Sequence, residues 1–302
     1  MISVVIPVKD GGADLVRCLD AIGRQVVDAE VEIVVVDSGS RDASVEVARS
    51  QGARVHEIPA SEFGHGRTRN LGAELARGEI LVFTSQDAFA ADETWLATLV
   101  RSLARTDHVA GAYGRQLAHD DATPPERYFL DFLYGPDARV QRLEGDEPDY
   151  EQTLFSNVNA AIPRAVWREF PFADDLIMSE DQEWSRRVLR AGYELVYEPA
   201  AAVHHSHRYS IAAAFRRFFD SGVSAKRSYA AGASGSGALR RAGARYAQGE
   251  VAWLWETGQR RWIPYAAAYE LAKFTGMQLG RRHERIPVSV KRRLSALHAY
   301  WD

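Results

Sequence analysis

A chain of 302 residues, 46% hydrophobic and 26% charged, has the composition of a globular protein, and no stretch reaches the roughly 18 uncharged apolar residues of a membrane span. The length exceeds that of a usual single domain, so one large domain with an appendage, or two subdomains, is expected. The net charge of −4 conceals a split: residues 240–302 carry 12 Lys/Arg against 5 Asp/Glu, a local +7, and the rest carry 25 against 36, or −11. Such a basic tail suits an anionic neighbour, a phospholipid surface or a phosphorylated lipid. The lone Cys18 excludes an internal disulfide, and its helical spacing with Leu15, Leu19 and Ile22 predicts a core position. The opening "MISVVIPV" has no basic region or cleavage site and reads as a strand rather than a signal peptide, so a cytoplasmic location is expected.

The first half alternates. Strands are predicted over Ile2–Val8, Val31–Asp37, Ala53–Ile58 and Glu79–Ser85, with helices over Asp14–Arg24, Arg41–Gln51 and Arg67–Arg77. This βαβαβαβ order argues for an α/β fold with a mostly parallel sheet flanked by helices. Ligands of such sheets settle outside the carboxyl ends of the strands. Three loops there are small and polar: "PVKDGG", "DSGSRD" and "SQDA". Three carboxylates at one lip repel each other unless each has a partner such as a base, a ribose hydroxyl or a cation. Asp87, after the apolar run Ile80–Phe83, either holds a cation against a ligand phosphate or caps the next helix. Neither G-x-G-x-x-G nor G-x-x-x-x-G-K-[ST] is present, which excludes the Rossmann dinucleotide and P-loop modes.

Beyond Asp92, an expected N-cap, come a helix to Arg105 and a strand over Val109–Gln116. Residues Ala118–Tyr150 read as an irregular excursion with a short helix at Tyr128–Leu133, either an acceptor-shaping loop or an insertion. A strand follows in "TLFSNVNAAIP", then a short helix from Pro163. Ser179 and Gln182 have the spacing of a capping box, which puts Glu180 and Asp181 in the first turn of a helix ending at Gly192, before a strand at Tyr193–Tyr197. In "HHSH", alternation puts His205 and His207 on one side and His204 on the other; His205 or His207 is the candidate to grip a metal or a diphosphate. Helical pattern resumes at Ile211, Gly222–Gly237 reads as a linker, and the aromatic, basic remainder suits either interfacial helices on a membrane or a bundle docked on the first domain or another chain.

With these residues in place, the chain resembles the family 2 glycosyltransferases of GT-A fold, in the bacterial rhamnosyltransferase-like branch. The resemblance is carried by "VVIPVKDGG", "EIVVVDSGSRD", "EFGHGRTRNLGAELARGEILVFTSQDA", "FSNVNAAIPRAVW", "SEDQEWSRRVLRAGYELVYEPAAAVHHSH" and "FRRFFDSG", from about Ile2 to Gly222. It implies that Pro7, Asp10, Asp37 and Ser38 line the base and ribose pocket with Arg69 and Asn70 nearby. It makes Asp87 the last acid of an eroded D-x-D-like motif, with Ser85 and Gln86 where other members often have Asp, and counts Gln86 and Asp87 among the nucleotide-sugar-binding residues. Asp87 then holds Mg²⁺ or Mn²⁺ with phosphate oxygens and His205 or His207, and Asp181, beside Glu180, is the general base. The implied organisation is a GT-A domain over 1–210, with a nucleotide-sugar half at 1–117 and an acceptor half at 118–210, and a helical region over 211–302 that meets a membrane or a partner.

The implied reaction is inverting transfer of one sugar, rhamnose from dTDP-rhamnose, to a hydroxyl of a cell-surface polysaccharide or lipid-linked glycan precursor. The processive Q-x-x-R-W signature is absent. Expected partners are the nucleotide diphosphate sugar donor and the glycan or lipid-linked acceptor, with peripheral contact on the inner face of the membrane and no nucleic acid; a homo-oligomer stays open. Two competing readings are a nucleotidyltransferase, for which only Lys9 is on offer in the first loop, and a non-catalytic nucleotide-sugar scaffold.

Overall fold

The structure, a computed structural model, describes residues 1–229 and 232–302, with 232–240 described by backbone alone. Its strands are β1 (Ile2–Val8), β2 (Val31–Asp37), β3 (Arg54–Glu57), β4 (Ile80–Thr84), β5 (Phe89–Ala90), β6 (Val109–Leu117), β7 (Arg139–Gln141), β8 (Asn159–Pro163) and β9 (Glu194–His204). Its helices are α1 (Gly12–Gly23), α2 (Ser44–Ser50), α3 (His65–Leu75), α4 (Trp95–Arg101), α5 (Pro124–Leu133), α6 (Arg164–Glu169), α7 (Glu180–Arg190), α8 (Ile211–Ser224), α9 (Gly232–Glu256), α10 (Ile263–Gly280) and α11 (Val288–Leu294).

All the strands join one sheet in the order β3-β2-β1-β4-β8-β6-β9-β5, with β7 also on β9. The alternating first half gives the parallel part, β3 to β4, with Val5 flanked by Val34 and Phe83. The order then reverses. β8 runs antiparallel to both β4 and β6, with Thr84 opposite Asn159, and β9 returns parallel to β6. Successive residues of β1 serve opposite faces: Val4 and Ile6 pack with Leu15, Cys18 and Leu19 of α1, and Val5 packs with Phe83, Ala73 of α3, Trp167 and Trp184. Gly72 lets α3 settle on the sheet, since a Cβ there would lie 2.3 Å from Val5 Cγ1.

Three expectations are corrected. The stretch read as a linker over Gly222–Gly237 holds the end of α8 and the start of α9, residues 230–231 lying outside the described ones. Ser179 is no capping-box residue: it sits in the left-handed region at φ 61° and its hydroxyl makes no cap bond. The strand expected to stop at Tyr197 runs on to His204 and so delivers the histidine cluster to the sheet's lip.

The C-terminal helices pack on the rest of the molecule. α8 and α10 touch at backbone distance: a Cβ at Gly276 would lie 2.3 Å from Phe215 O, and one at Gly280 2.0 Å from Phe219 O. Lys273 of α10, paired with Glu270 at 2.8 Å, sits 4.6–4.9 Å from the rings of Phe129, Tyr246 and Phe218, which joins α5, α9 and α8. Asp220 of α8 accepts the N–H groups of Ala296 and Leu297 at 2.8 and 3.2 Å, tying down the tail. Among the described residues no helix is long and apolar enough to cross a membrane.

Candidate active site

At the strand ends each carboxylate has its own partner. Asp10, in the left-handed region at φ 48°, accepts the N–H of Arg41 at 2.7 Å, and its own N–H donates to Ser40 Oγ at 2.8 Å. Asp37 is buried; its Oδ2 accepts the N–H groups of Gly39 and Ser40, both at 3.0 Å, and its Oδ1 takes the Ser40 hydroxyl. Backbone donors thus supply the partners that the loop chemistry demanded. Ser38 is buried beside them with a hydroxyl that has no partner among the described residues, a group left for a ligand to satisfy. Pro7 stands one residue from the end of β1, opposite Val36. Gln86 clamps the β1 loop to the β4 loop, accepting the Lys9 N–H at 2.8 Å and donating to its carbonyl at 3.1 Å.

Asp87 does not cap a helix: the chain passes into β5, and its carboxylate faces His205 and His207. Asp87 Oδ1 is 3.6 Å from His205 Nε2, and Oδ2 is 3.7 Å from His207 Nδ1. These spacings are too wide for hydrogen bonds. The three candidate ligand atoms lie within 4.8 Å of one another, a spread suited to a shared cation. Burial pushes the His205 imidazole down to about 3 and lowers that of His207, against the opposing pull of Asp87, so both are neutral at physiological pH. Gln116 sets the tautomer. Its amide NH₂ donates to Tyr134 Oη at 2.7 Å and Ser156 Oγ at 3.0 Å, so its Oε1, 2.8 Å from His205 Nδ1, accepts that N–H and leaves the Nε2 lone pair toward Asp87. The donor set is therefore ready for a divalent cation.

The two acids of α7, Glu180 and Asp181, differ from each other in their partners. Glu180 is buried and receives Arg69 Nη1 at 3.0 Å and Asn157 Nδ2 at 3.2 Å. Burial alone would raise its pKa, but Arg69, His65 and Asn157 hold it below the usual range. Among the described residues Asp181 forms no ion pair; its Oδ1 accepts the Gln182 N–H at 2.8 Å and its Oδ2 the Asn157 N–H at 3.2 Å. Packed protein around it, then the charge of Glu180, pushes it up to about 7.

A line of contacts joins the two groups. Asn157 holds Asp181, its neighbour Ser156 bonds Gln116, Gln116 bonds His205, and His205 faces Asp87, while Thr84 Oγ1 donates to Val158 O at 3.0 Å to bind β4 to the same segment. Two residues expected at the nucleotide are committed elsewhere. Arg69 pairs with Glu180, and Asn70 spends both donors and both acceptor positions on Phe172, Asp174 and Trp167. Sequence reasoning missed Gln116 and Asn157. The available signal was a polar amide at the end of a buried apolar strand and inside "FSNVNAA".

Comparison with known proteins gives consistent matches. The family model described as Glycosyl transferase family 2 matches residues 3–168, more than half of the chain. The O-antigen chain rhamnosyltransferase RfbN of Salmonella typhimurium is 32% identical over 311 aligned positions, covering 100% of this chain and 96% of that one. The O-antigen chain rhamnosyltransferase WbaN of Salmonella anatum is 32% identical over 280, covering 90% and 86%. Among solved structures, the mannosyltransferase PcManGT from Pyrobaculum calidifontis, in complex with GDP-Man and Mn²⁺, superposes with a TM-score of 0.60 at 20% identity, covering 92% of this chain and 86% of that one. S. aureus TarS 1-349 gives 0.52 at 15% identity, covering 95% and 93%. These superpositions share the GT-A fold.

Proposed function

Because the chain belongs to the family 2 glycosyltransferases, in their bacterial rhamnosyltransferase-like branch, we propose that it moves a single rhamnose from dTDP-rhamnose, with inversion, to a hydroxyl of a cell-surface polysaccharide or lipid-linked glycan precursor. The names of the two Salmonella relatives support the sugar and the acceptor class. The observation that carries the chemistry is the unequal acid pair: Glu180 is taken by Arg69 at 3.0 Å, whereas Asp181 beside it accepts the backbone N–H groups of Asn157 and Gln182 and is pushed up to about 7, first by burial. A base of that strength is matched to neutral pH.

In this reading the donor's nucleoside lies along the Asp10, Asp37 and Ser38 loops, where the unpartnered Ser38 hydroxyl awaits a hydrogen bond. Asp87, His205 and His207 hold a divalent cation, and two imidazoles with one carboxylate favour Mn²⁺ over Mg²⁺. When bound, the ion supplies Lewis-acid neutralisation of the charge gathering on the departing diphosphate. Asp181 removes the proton of the acceptor hydroxyl while that oxygen bonds to the anomeric carbon and the bond to the diphosphate oxygen breaks on the opposite face. Asn157 and Gln182 N–H groups keep its oxygens aimed throughout. Residues 1–210 form the catalytic unit and 211–302 its helical support.

The test pairs two variants, with Mn²⁺, dTDP-rhamnose and a cell-envelope lipid extract as the source of acceptor. Asp181→Asn is expected to bind dTDP as the wild type does and to lose transfer by about 10²- to 10⁴-fold. Asp87→Ala is expected to lose Mn²⁺-dependent dTDP binding. Transfer by Asp181→Asn at the wild-type rate rules out its role as base.

A further inference from the structure

α10 keeps its charges off its outer face. Its two ionised residues, Glu270 and Lys273, pair with each other at 2.8 Å, and Lys273 is buried among the rings of Phe129, Tyr246 and Phe218. The exposed residues of the helix are Pro264, Ala267, Ala268, Leu271, Phe274 and Thr275. Their three- and four-residue spacing puts them on one stripe, running about 16 Å along the axis. No charge interrupts it, and its two large side chains stand well out of the protein, Leu271 65% and Phe274 57% exposed. A surface helix ordinarily turns charged residues to water, and a continuous apolar face left open marks a contact surface.

Cations bracket that face. Arg260 and Arg261 precede α10, Arg282 and Arg285 follow it, and all four are exposed. Between Thr257 and Arg282 the one acid is Glu270, already paired with Lys273. At the leading end the Arg260 guanidinium lies 3.9 Å from the ring centroid of Trp255, itself exposed on α9. A second copy of the chain is a poor cover for such a face: whether two of these helices met head to head or head to tail, arginines would face arginines at both ends. A layer of anionic phospholipid meets both demands. Its acyl chains receive Leu271 and Phe274, its phosphates the arginines, and its headgroup layer the amphipathic indole of Trp255. The helix can lie on such a surface without leaving the fold, because Gly276 and Gly280 hold it to α8 on the side away from the stripe.

We propose that the outer face of α10 docks on an anionic phospholipid surface, anchored by Leu271 and Phe274 and held by the flanking arginines. None of these residues belongs to the strand-end cleft, and the docking is independent of the transfer reaction proposed for it.

The experiment is co-sedimentation of the full chain with phosphatidylcholine vesicles, with and without phosphatidylglycerol. The wild type is expected to bind when phosphatidylglycerol is present and to be released by salt. Leu271→Ser combined with Phe274→Ser is expected to weaken that binding about 10- to 100-fold while keeping the wild-type thermal midpoint, since both side chains are exposed. Arg260→Gln combined with Arg261→Gln should weaken it about 10-fold. Val26→Ser, which removes an exposed apolar side chain of the first half, should leave it unchanged. Wild type that stays in the supernatant with phosphatidylglycerol vesicles overturns the proposal. Binding that both double variants keep within twofold of wild type overturns it as well, because the contact then lies elsewhere, and so does a loss confined to a variant whose midpoint has fallen. A wild-type dimer in light scattering that Leu271→Ser with Phe274→Ser turns into a monomer also overturns it, since a second copy then covers the face.

Discussion

Glu180 and Asp181 are adjacent in the chain and shifted in opposite directions, Glu180 downward and Asp181 up to about 7. A general base works only when ionised, so transfer should rise with pH along a limb near 7 and fall away below it. Burial is the larger cause of that value and the negative charge of Glu180 the second. Glu180→Gln removes the second and frees Arg69 to act on Asp181, so the limb should move to lower pH; a pH–rate profile measured on both proteins checks it, and an unmoved limb detaches the two acids. Stability follows the same sign. Because the folded value of Asp181 lies above the ordinary 3.8, its contribution is full below 3.8 and is lost as pH rises through about 7. At this scale the acids and histidines were legible because their side chains advertise chemistry in any context. Gln116 and Asn157 were not: their meaning comes from partners 89 and 23 to 24 positions away, which no local pattern records.

At the scale of elements, the sharpest prediction concerns α8 and α10. Gly276→Ala puts a methyl 2.3 Å from Phe215 O, and backbone cannot yield as a flexible side chain does. The helices must part, at a cost of about 1–3 kcal/mol. Thermal unfolding should show a lower midpoint, and the site residues need not be touched for it to fall. An unchanged midpoint means the two helices are not in contact. The first-half strands and helices were readable from their apolar periods, because β1, β2 and β4 are covered on both faces. The start of α9 was misread because Gly, Ala and Ser supply no apolar stripe. Farther along α9 the contacts come from outside the helix, Tyr246 and Trp253 meeting the ring of Tyr128 at 5.3 and 5.8 Å. The capping box failed for a related reason. Spacing alone put Ser179 at a cap, whereas the turn into α7 bends it to φ 61° and aims its hydroxyl elsewhere.

Over the whole molecule, the family match ends at residue 168, yet Glu180, Asp181, His205 and His207 all come later. The parallel half was legible as alternation; the antiparallel return through β8 was not, since "NAAIP" looks alike in either direction. A chain cut after residue 168 has no β9, which leaves β6 without its parallel partner and β5 and β7 without any. It should run as an aggregate in size-exclusion chromatography and show no Mn²⁺-dependent nucleotide binding; a stable monomer would show that the first half folds alone. The order of the sheet also sets a timetable for synthesis. β4 leaves the ribosome with its outer edge bare, and the strand that covers it arrives some seventy-five residues later, at Asn159. Throughout that interval a nascent chain presents Ile80–Thr84 as a sticky template. Cells that make this enzyme must shield that edge, by chaperone or by pace of translation, before any sugar can be moved.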